Sequence, residues 1–211
     1  MAEEVLQIVP VFPLPNTVLF PRTSLPFHIF EPRYRSMIQD VTEGSGLIVV
    51  SRMIGDDFEK LGTVGRIRDL EPLEDGRYNL VLEGLHRVSM VEVPCDTPYR
   101  QVRIKARPER AGTDDPVVIE QSKLELLATL GLLLSAAQTG FPVVLSQELP
   151  LEVVVNQVCA ALPVRASVRQ RLLAEDELLG RQRLLSEHLD HVIDTIAESS
   201  SVSPGEGSPP N

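Results

Sequence analysis

The stretch "PVFPLPNTVLFPRTSLPFHIFEP", Pro10 to Pro32, places prolines at positions 10, 13, 15, 21, 26 and 32. Between them stand Val11, Phe12, Leu14, Val18, Leu19, Phe20, Leu25, Phe27, Ile29 and Phe30. So many large apolar side chains demand burial, yet each proline removes a backbone donor from the segment that has to be buried. Proline is tolerated on edge strands, at strand starts and at bends, where the missing N–H would face solvent or a turn. The segment is therefore expected to be a belt of strands and bends that closes an irregular barrel, with its apolar side chains inward. Its prolines would also blunt an apolar edge against pairing with other chains.

Downstream, turn signals alternate with short runs rich in β-branched residues: "GLIVVSRM", "LGTVGRIRDL", "GRYNLVLEGL", "HRVSMVEV" and "YRQVRIKAR". This pattern predicts an antiparallel barrel or sandwich of short strands. In "EDGRYNLVLEGL" Asp75 and Gly76 supply a turn, and Tyr78, Leu80 and Leu82 then fall on one face. In "YRQVRIKAR" Val102, Ile104 and Ala106 alternate with Gln101, Arg103, Lys105 and Arg107, which makes one face apolar and the other cationic. One short helix is expected within this region, opening with Pro32 in its first turn, burying Tyr34, Met37, Ile38 and Val41, and stopping at Gly44.

Near residue 112 the period changes. Asp115 is placed to cap a helix with Pro116 in its first turn, and Ile119, Leu126, Leu130, Leu133 and Ala137 recur at helical spacing. Leu185, Leu189, Val192 and Ile196 form a second stripe, and two shorter helices lie in "PLEVVVNQVCAAL" and "VRASVRQRLLAE", bounded by Pro150 and Pro163. The expected organisation is a β pseudobarrel over residues 1–111, a helical bundle over 114–197 that buries the second stripe against the first helix, and a disordered tail over 198–211. The longest uncharged run, "LELLATLGLLLSAAQTGFPVVL", is interrupted by Glu125, Gly131, Gln138, Thr139 and Pro142, so it reads as a buried helix and loop and not as a membrane span.

The net charge of -10 is unevenly placed. Residues 1–111 carry 14 basic and 16 acidic side chains, residues 112–211 carry 6 and 14. An acidic chain is a poor general binder of polyanions, whose affinity rests on neutralised phosphates. Cys95 and Cys159 show neither CxxC spacing nor a cysteine-dense frame, which points to reduced, buried or unreactive thiols in a cytoplasm. The acidic opening "MAEEVLQ" has no basic region followed by an apolar one, so no secretory signal is expected.

With these residues in place the sequence resembles the Lon N-terminal domain family, found at the front of ATP-dependent Lon proteases and as stand-alone bacterial proteins. The stretches that carry the resemblance are "VFPLPNTVLFP", "LPFHIFEPRYRSMI", "LGTVGRI", "GRYNLVLEGLHRV" and "PYRQVRI", in the family's order. The resemblance implies an α+β fold, a six-stranded antiparallel PUA-like pseudobarrel joined to a small helical bundle. It also implies a stand-alone bacterial member that binds unfolded or extended protein segments, as an adaptor in protein quality control that serves a separate protease. None of the three lysines, Lys60, Lys105 and Lys123, follows a glycine, so no GxxxxGK[ST] phosphate loop is present. The serine and lysine pair of a Lon protease domain has no counterpart either. The expectation is a cytoplasmic protein-binding module, with no catalysis, no cofactor, no metal and no membrane partner.

Candidate chemistry weighs little against this reading. Cys95 or Cys159 with His28, His86, His188 or His191 carries no local signature of a nucleophile and its base. His188 and His191, with Glu187, Asp190 and Asp194 near them, fit a solvated helix surface better than a metal face. Glu83 is expected to satisfy Arg87 or backbone donors on a strand followed by a turn, and not to work as an acid with His86. The alternative function is RNA binding by a PUA-like barrel, for which Arg103, Lys105, Arg107 and Arg110 would be the cationic stripe. Against it stand the acidic balance, the absence of tryptophan and an aromatic content of 4%, too little for base stacking. The candidate peptide site is Phe27 and Phe30 beside Arg33 and Arg35, with Met53, Ile54 and Phe58 of "RMIGDDFEKLG" as an opposite wall. Surplus apolar side chains would supply affinity there, rim charges orientation, and Met53 an adaptable surface.

Overall fold

In the computed structural model, residues 7–137, 146 and 148–201 are described, with 135–137 and 196–201 as backbone alone. The packing of Ala137 and Ile196, the segment 1–6 and the segment 202–211 of the expected tail lie outside the described residues. The α+β chain runs β1 (Ile8–Leu14), β2 (Ser24–Ile29), α1 (Pro32–Glu43), β3 (Leu47–Ile54), β4 (Asp57–Phe58), β5 (Leu61–Pro72), β6 (Tyr78–Val93) and β7 (Gln101–Ala106). It continues with α2 (Pro116–Ala137), α3 (Leu151–Ala161), α4 (Ala166–Ala174) and α5 (Leu178–Ser201). Among the described residues there are seven strands where six were expected, the shortest being the two-residue β4. Helix α5 also continues past residue 197, through Ser201.

The proline belt closes the barrel by changing partners. Ile8–Pro10 of β1 pair antiparallel with β7, and Val11–Leu14 then pair parallel with Val49–Arg52 of β3. The ring β1, β7, β6, β5, β3 thereby returns on itself. The belt closes the barrel as expected, with β1–β3 as a parallel pair in an otherwise antiparallel set of named strands. Each half of β1 has a partner on one side only, so Pro10 and Pro13 fit where a doubly paired strand would lose a ladder bond. Within the belt β2 is the edge strand, pairing among the described residues with β6 and placing Pro26 opposite Val81.

The two runs "GRYNLVLEGL" and "HRVSMVEV" form one strand, β6, of 16 residues. Its first half pairs with β2 and its last half with β7, while β5 follows it from Ser89 down to Tyr78. The register slips at Gly84, where β5 skips Leu85, and this bulge bends the strand from one layer into the other. Gly84 is required at that crossing, because a Cβ there would collide with the Phe20 carbonyl oxygen. Turn chemistry in "EGLHR" thus becomes a bend inside a continuous ladder.

Three apolar clusters result. Val9, Val11, Val49, Val64, Val88 and Val102 meet inside the ring, with Phe58 and Met90. Phe12, Ile29, Ile48, Val50, Leu80 and Leu82 meet beneath Tyr34, Met37, Ile38 and Val41 of α1, which begins at Pro32 and stops at Gly44 as expected. Both faces of β3 are buried, which accounts for its unbroken "LIVV". The third cluster gathers Leu126, Leu130 and Leu133 of α2 with Leu185 and Leu189 of α5, and it also takes in Val18, Phe20 and Leu61 from the β part. Asp115 caps α2 through a 2.9 Å bond from the Val117 N–H to its Oδ1.

Two buried arginines tie the helices to the strands. Arg87 of β6, 2% exposed, donates to the carbonyls of Leu173, Glu175 and Pro108 and to Asp176. Arg181 of α5, 0% exposed, donates to the carbonyls of Leu172 and Glu175 and to Asn156, and pairs with Glu109. Glu83, expected to meet Arg87, pairs instead with Arg68 at 3.2 Å, because it lies on the other side of the bulge. Breaking a buried pair from one side leaves its partners unsatisfied, so Arg87→Ala is expected to lower the unfolding free energy by roughly 3–5 kcal/mol in urea titrations. Asp176 is held below the usual carboxylate range, first by its hydrogen bond from Arg107. The native state therefore binds fewer protons there than the unfolded chain. Its contribution is complete above the unfolded pKa and is lost as pH falls through the folded one. Asp176→Asn should accordingly reduce the loss of stability on acidification, read from urea midpoints at neutral pH and below about pH 4.

Candidate functional site

Where β2, β6 and β5 run side by side their residues line up in three rows: Pro26, Val81 and Asp69; Phe27, Leu80 and Leu70; His28, Asn79 and Glu71. Side chains alternate across a strand, so the middle row points into the cluster under α1 and the outer rows share the opposite face. The three rows together border an open trough of about 590 Å³. One wall is a directed chain of hydrogen bonds. Asn79 donates from Nδ2 to Glu71 at 2.9 Å, which leaves its Oδ1 to accept from His28 Nδ1 at 2.8 Å. His28 Nε2 then accepts from Arg77 at 3.2 Å, the arrangement of a neutral imidazole protonated on Nδ1. Pro26 and Val81 form the apolar side. The outer edge of β2 carries no strand partner among the described residues.

The sequence-derived candidates divide between this trough and other places. Phe27 lines it, packs edge-on against Phe12 at 5.5 Å and is half-buried. Phe30 stands just beyond β2, 60% exposed, with its ring stacked on His28 at 6.2 Å. Arg33 bonds Glu31 at 2.9 Å and lies over the Tyr34 ring at 4.5 Å, and Tyr34 itself packs on Phe12 at 4.6 Å. Burial raises the Tyr34 pKa, so that ring serves as an apolar wall. Arg35 rests against Gly76, whose φ of 78° belongs to the β5–β6 turn, and a side chain there would meet the guanidinium.

The proposed opposite wall does not face these residues. Phe58 is 2% exposed and belongs to the cluster inside the ring, with Arg100 at 4.3 Å and Lys60 at 4.5 Å over its face. Ile54 is 48% exposed and Met53 half-buried at the β3–β4 turn, where Met53 pairs with Phe58. The loop "RMIGDDFEKLG" is thus a hairpin whose phenylalanine turns inward. The trough's own Pro26, His28, Asn79, Val81, Asp69 and Glu71 escaped sequence reading, since only strand register brings them together. The alternation of Asp69 and Glu71 around Leu70, and of Asn79 and Val81 around Leu80, was the available signal.

Other candidate chemistry finds no support in the geometry. Cys159 is fully buried, and burial pushes its thiol up to about 12, away from the reactive thiolate. Cys95, read as buried or unreactive, is exposed, its Sγ 3.4 Å from the Tyr99 carbonyl. Of the cationic stripe, Arg107 is bound to Asp176 at 2.6 Å and Arg110 lies 3.6 Å from Glu177, both carboxylates coming from the connection between α4 and α5. Among the described residues no three His, Cys, Asp or Glu side chains gather as a metal group, and no helix is long and apolar enough to cross a membrane.

The contrast between the two phenylalanines is directly measurable. Phe58→Ala is expected to cost roughly 3–5 kcal/mol of stability, as for a buried ring. Phe30→Ala should stay within about 0.5 kcal/mol, as for an exposed one, in the same urea titrations.

Comparison with known proteins places this geometry. The family model described as the substrate-binding domain of ATP-dependent protease La (LON) matches residues 8–191. The Lon protease of Anaeromyxobacter dehalogenans is 27% identical over 95% of this chain, and that of Flavobacterium johnsoniae 30% identical over 57% of it. The aligned parts make up 25% and 16% of those two proteases, so the chain spans a quarter of their length or less. The fold is shared with the N-terminal domain of the Mycobacterium avium complex Lon protease, at TM-score 0.72 and 18% identity over 87% of this chain and 98% of that one. A Lon N-terminal domain protein from Xanthomonas campestris matches at TM-score 0.65 and 20% identity over 85% and 96%. The chain belongs to the family of LON substrate-binding domains.

Proposed function

We propose that this chain is a non-catalytic module that binds unfolded or extended segments of other proteins. The observation that carries the reading is the match of residues 8–191 to a substrate-binding domain. The open trough and exposed Phe30 support it locally. An edge strand with an apolar and hydrogen-bonding face beside it suits an extended chain, whose backbone can add to β2 while its side chains enter the trough. Phe30, Pro26 and Val81 would supply apolar contact, and Glu71, Asp69 and Arg77 the polar rim.

The finer parts of the proposal concern the setting. The module works as an adaptor in the cytoplasm and presents its bound segments to a separate protease. Its partners are proteins, with neither nucleic acid nor membrane among them, and it uses no cofactor.

The test is binding of a permanently unfolded client, followed by fluorescence anisotropy, to the wild-type chain and to Phe30→Asp and Val81→Asp. Both side chains lie outside the buried clusters, so melting should hold while affinity falls about tenfold or more, the range of interface anchors. Equal binding by all three proteins would remove the trough as the site. Turnover of ATP by the pure protein would remove the non-catalytic reading.

A further inference from the structure

Helix α4 presents Ser167, Gln170, Arg171 and Ala174 at spacings of three, four and seven, one face of a helix. This face lines a cleft of about 500 Å³ between the helices and the strands, with Arg52, Glu59, Leu61 and Arg107 across from it. Three guanidiniums line this cleft and two carboxylates, Glu59 and Asp176, pair with two of them, which leaves one cation over in a chain whose net charge is -10. Arg52 is held to Glu59 at 2.6 Å and Arg107 to Asp176 at 2.6 Å, which fixes both heads in place. Arg171 is exposed and, unlike Arg52 and Arg107, makes no ion pair within 4 Å among the described residues, although Glu187 lines the neighbouring cleft with it.

A second observation comes from two polar atoms on facing walls of the cleft. Gln170 is 6% exposed, and its Nε2 donates to the Leu61 carbonyl at 3.0 Å. That carbonyl can only accept, so the amide orientation is settled and its Oε1 is left buried without a partner. Arg52 Nε is likewise buried and unpartnered. An unsatisfied buried acceptor on one wall and an unsatisfied buried donor on the other mark a site for a ligand group that offers both functions. Inorganic phosphate at neutral pH also carries acceptors and an O–H donor, but it has no chain to lie along the apolar floor of Leu61 and Ala174. A peptide group carries a carbonyl and an N–H together, and a carboxylate on the same chain answers the guanidiniums.

We infer that this cleft is a second protein-binding site, selective for an extended segment that carries a carboxylate as an acidic side chain or a C-terminus. The carboxylate pairs with Arg171 and Arg52, a backbone amide bonds Gln170, and Leu61 and Ala174 supply the apolar floor. The inference rests on the protein-binding reading but on a different surface from the trough.

The experiment titrates the full chain with two labelled, unstructured peptides by anisotropy, one ending in Asp-Glu with a free carboxylate and one ending in Asn-Gln-amide. Arg171→Glu tests the cleft, Arg171→Lys keeps its charge, and Arg103→Glu is the cationic control on the outer face of β7. The acidic peptide should bind the wild type and Arg103→Glu alike, weaken by about tenfold or more with Arg171→Glu, largely recover with Arg171→Lys, and weaken with added salt. Melting curves of the variants should coincide, since Arg171 is exposed. Equal binding of the amidated peptide, unchanged binding by Arg171→Glu, or equally effective competition by inorganic phosphate or an RNA oligomer would each overturn the inference. A neutral unfolded client separates the two readings. If it still binds while Arg171→Glu has no effect on the acidic peptide, only the cleft is lost, and if neither ligand binds, both readings fall.

Discussion

Two guanidiniums removed from water hold this molecule together. Arg87 reaches out of β6 and Arg181 out of α5, and both end on the carbonyls at the close of α4, where Glu175 accepts from each. A buried charge is costly without compensation, and here it is met by backbone carbonyls that the helix end would otherwise leave unpaired. Burial still shows in the titration of the group opposite. Glu109 touches Arg181, yet desolvation raises its pKa and outweighs the attraction of the guanidinium. The joint between strands and helices is thus an expensive network in which both guanidiniums are met while the buried Asn156 Nδ2 is left without a partner.

The placement of the cleft follows from that joint. Fixing the end of α4 against β6 sets the Gln170 face opposite Arg52 and makes the cleft between them. The far end of the sheet has α1 on one face, while the rows of Pro26, Val81, Asp69 and His28, Asn79, Glu71 on the other border an open trough with no helix over it among the described residues. An edge strand left open beside an apolar face is ordinarily a liability. In β2 the single Pro26 and the charged neighbours on β5 limit indiscriminate pairing while leaving room for a chain that brings its own side chains.

Proline and glycine act here as geometric devices. Pro10 and Pro13 sit in a strand that changes partner midway, and Gly84 lets the longest strand cross beneath Phe20. Arg22, with φ of 61°, makes the turn after Pro21, and its N–H bonds the Gly84 carbonyl at 2.9 Å. Belt and bulge therefore lock one another, and the barrel closes through backbone contacts at these residues.

Local pattern alone determined the elements. Alternation in "YRQVRIKAR" fixes a strand with Val102 and Ile104 inward, and the spacing of Tyr34, Met37, Ile38 and Val41 between Pro32 and Gly44 fixes α1 with its buried face. The helical stripes of α2 and α5 were legible for the same reason, since burial writes a period into a sequence. Register, partner choice and the destination of long polar side chains were not legible. Phe58 looks like a loop residue until β4 pairs with β3 and turns it inward, and Arg87 looks like an exposed strand charge until α4 ends against it. The trough and the cleft belong to the same class, because each is made of residues from several elements whose adjacency is a free-energy choice of the whole chain. Period is a property of neighbours in sequence, whereas a binding surface is a property of neighbours in space, and only the closed barrel and its docked helices created those.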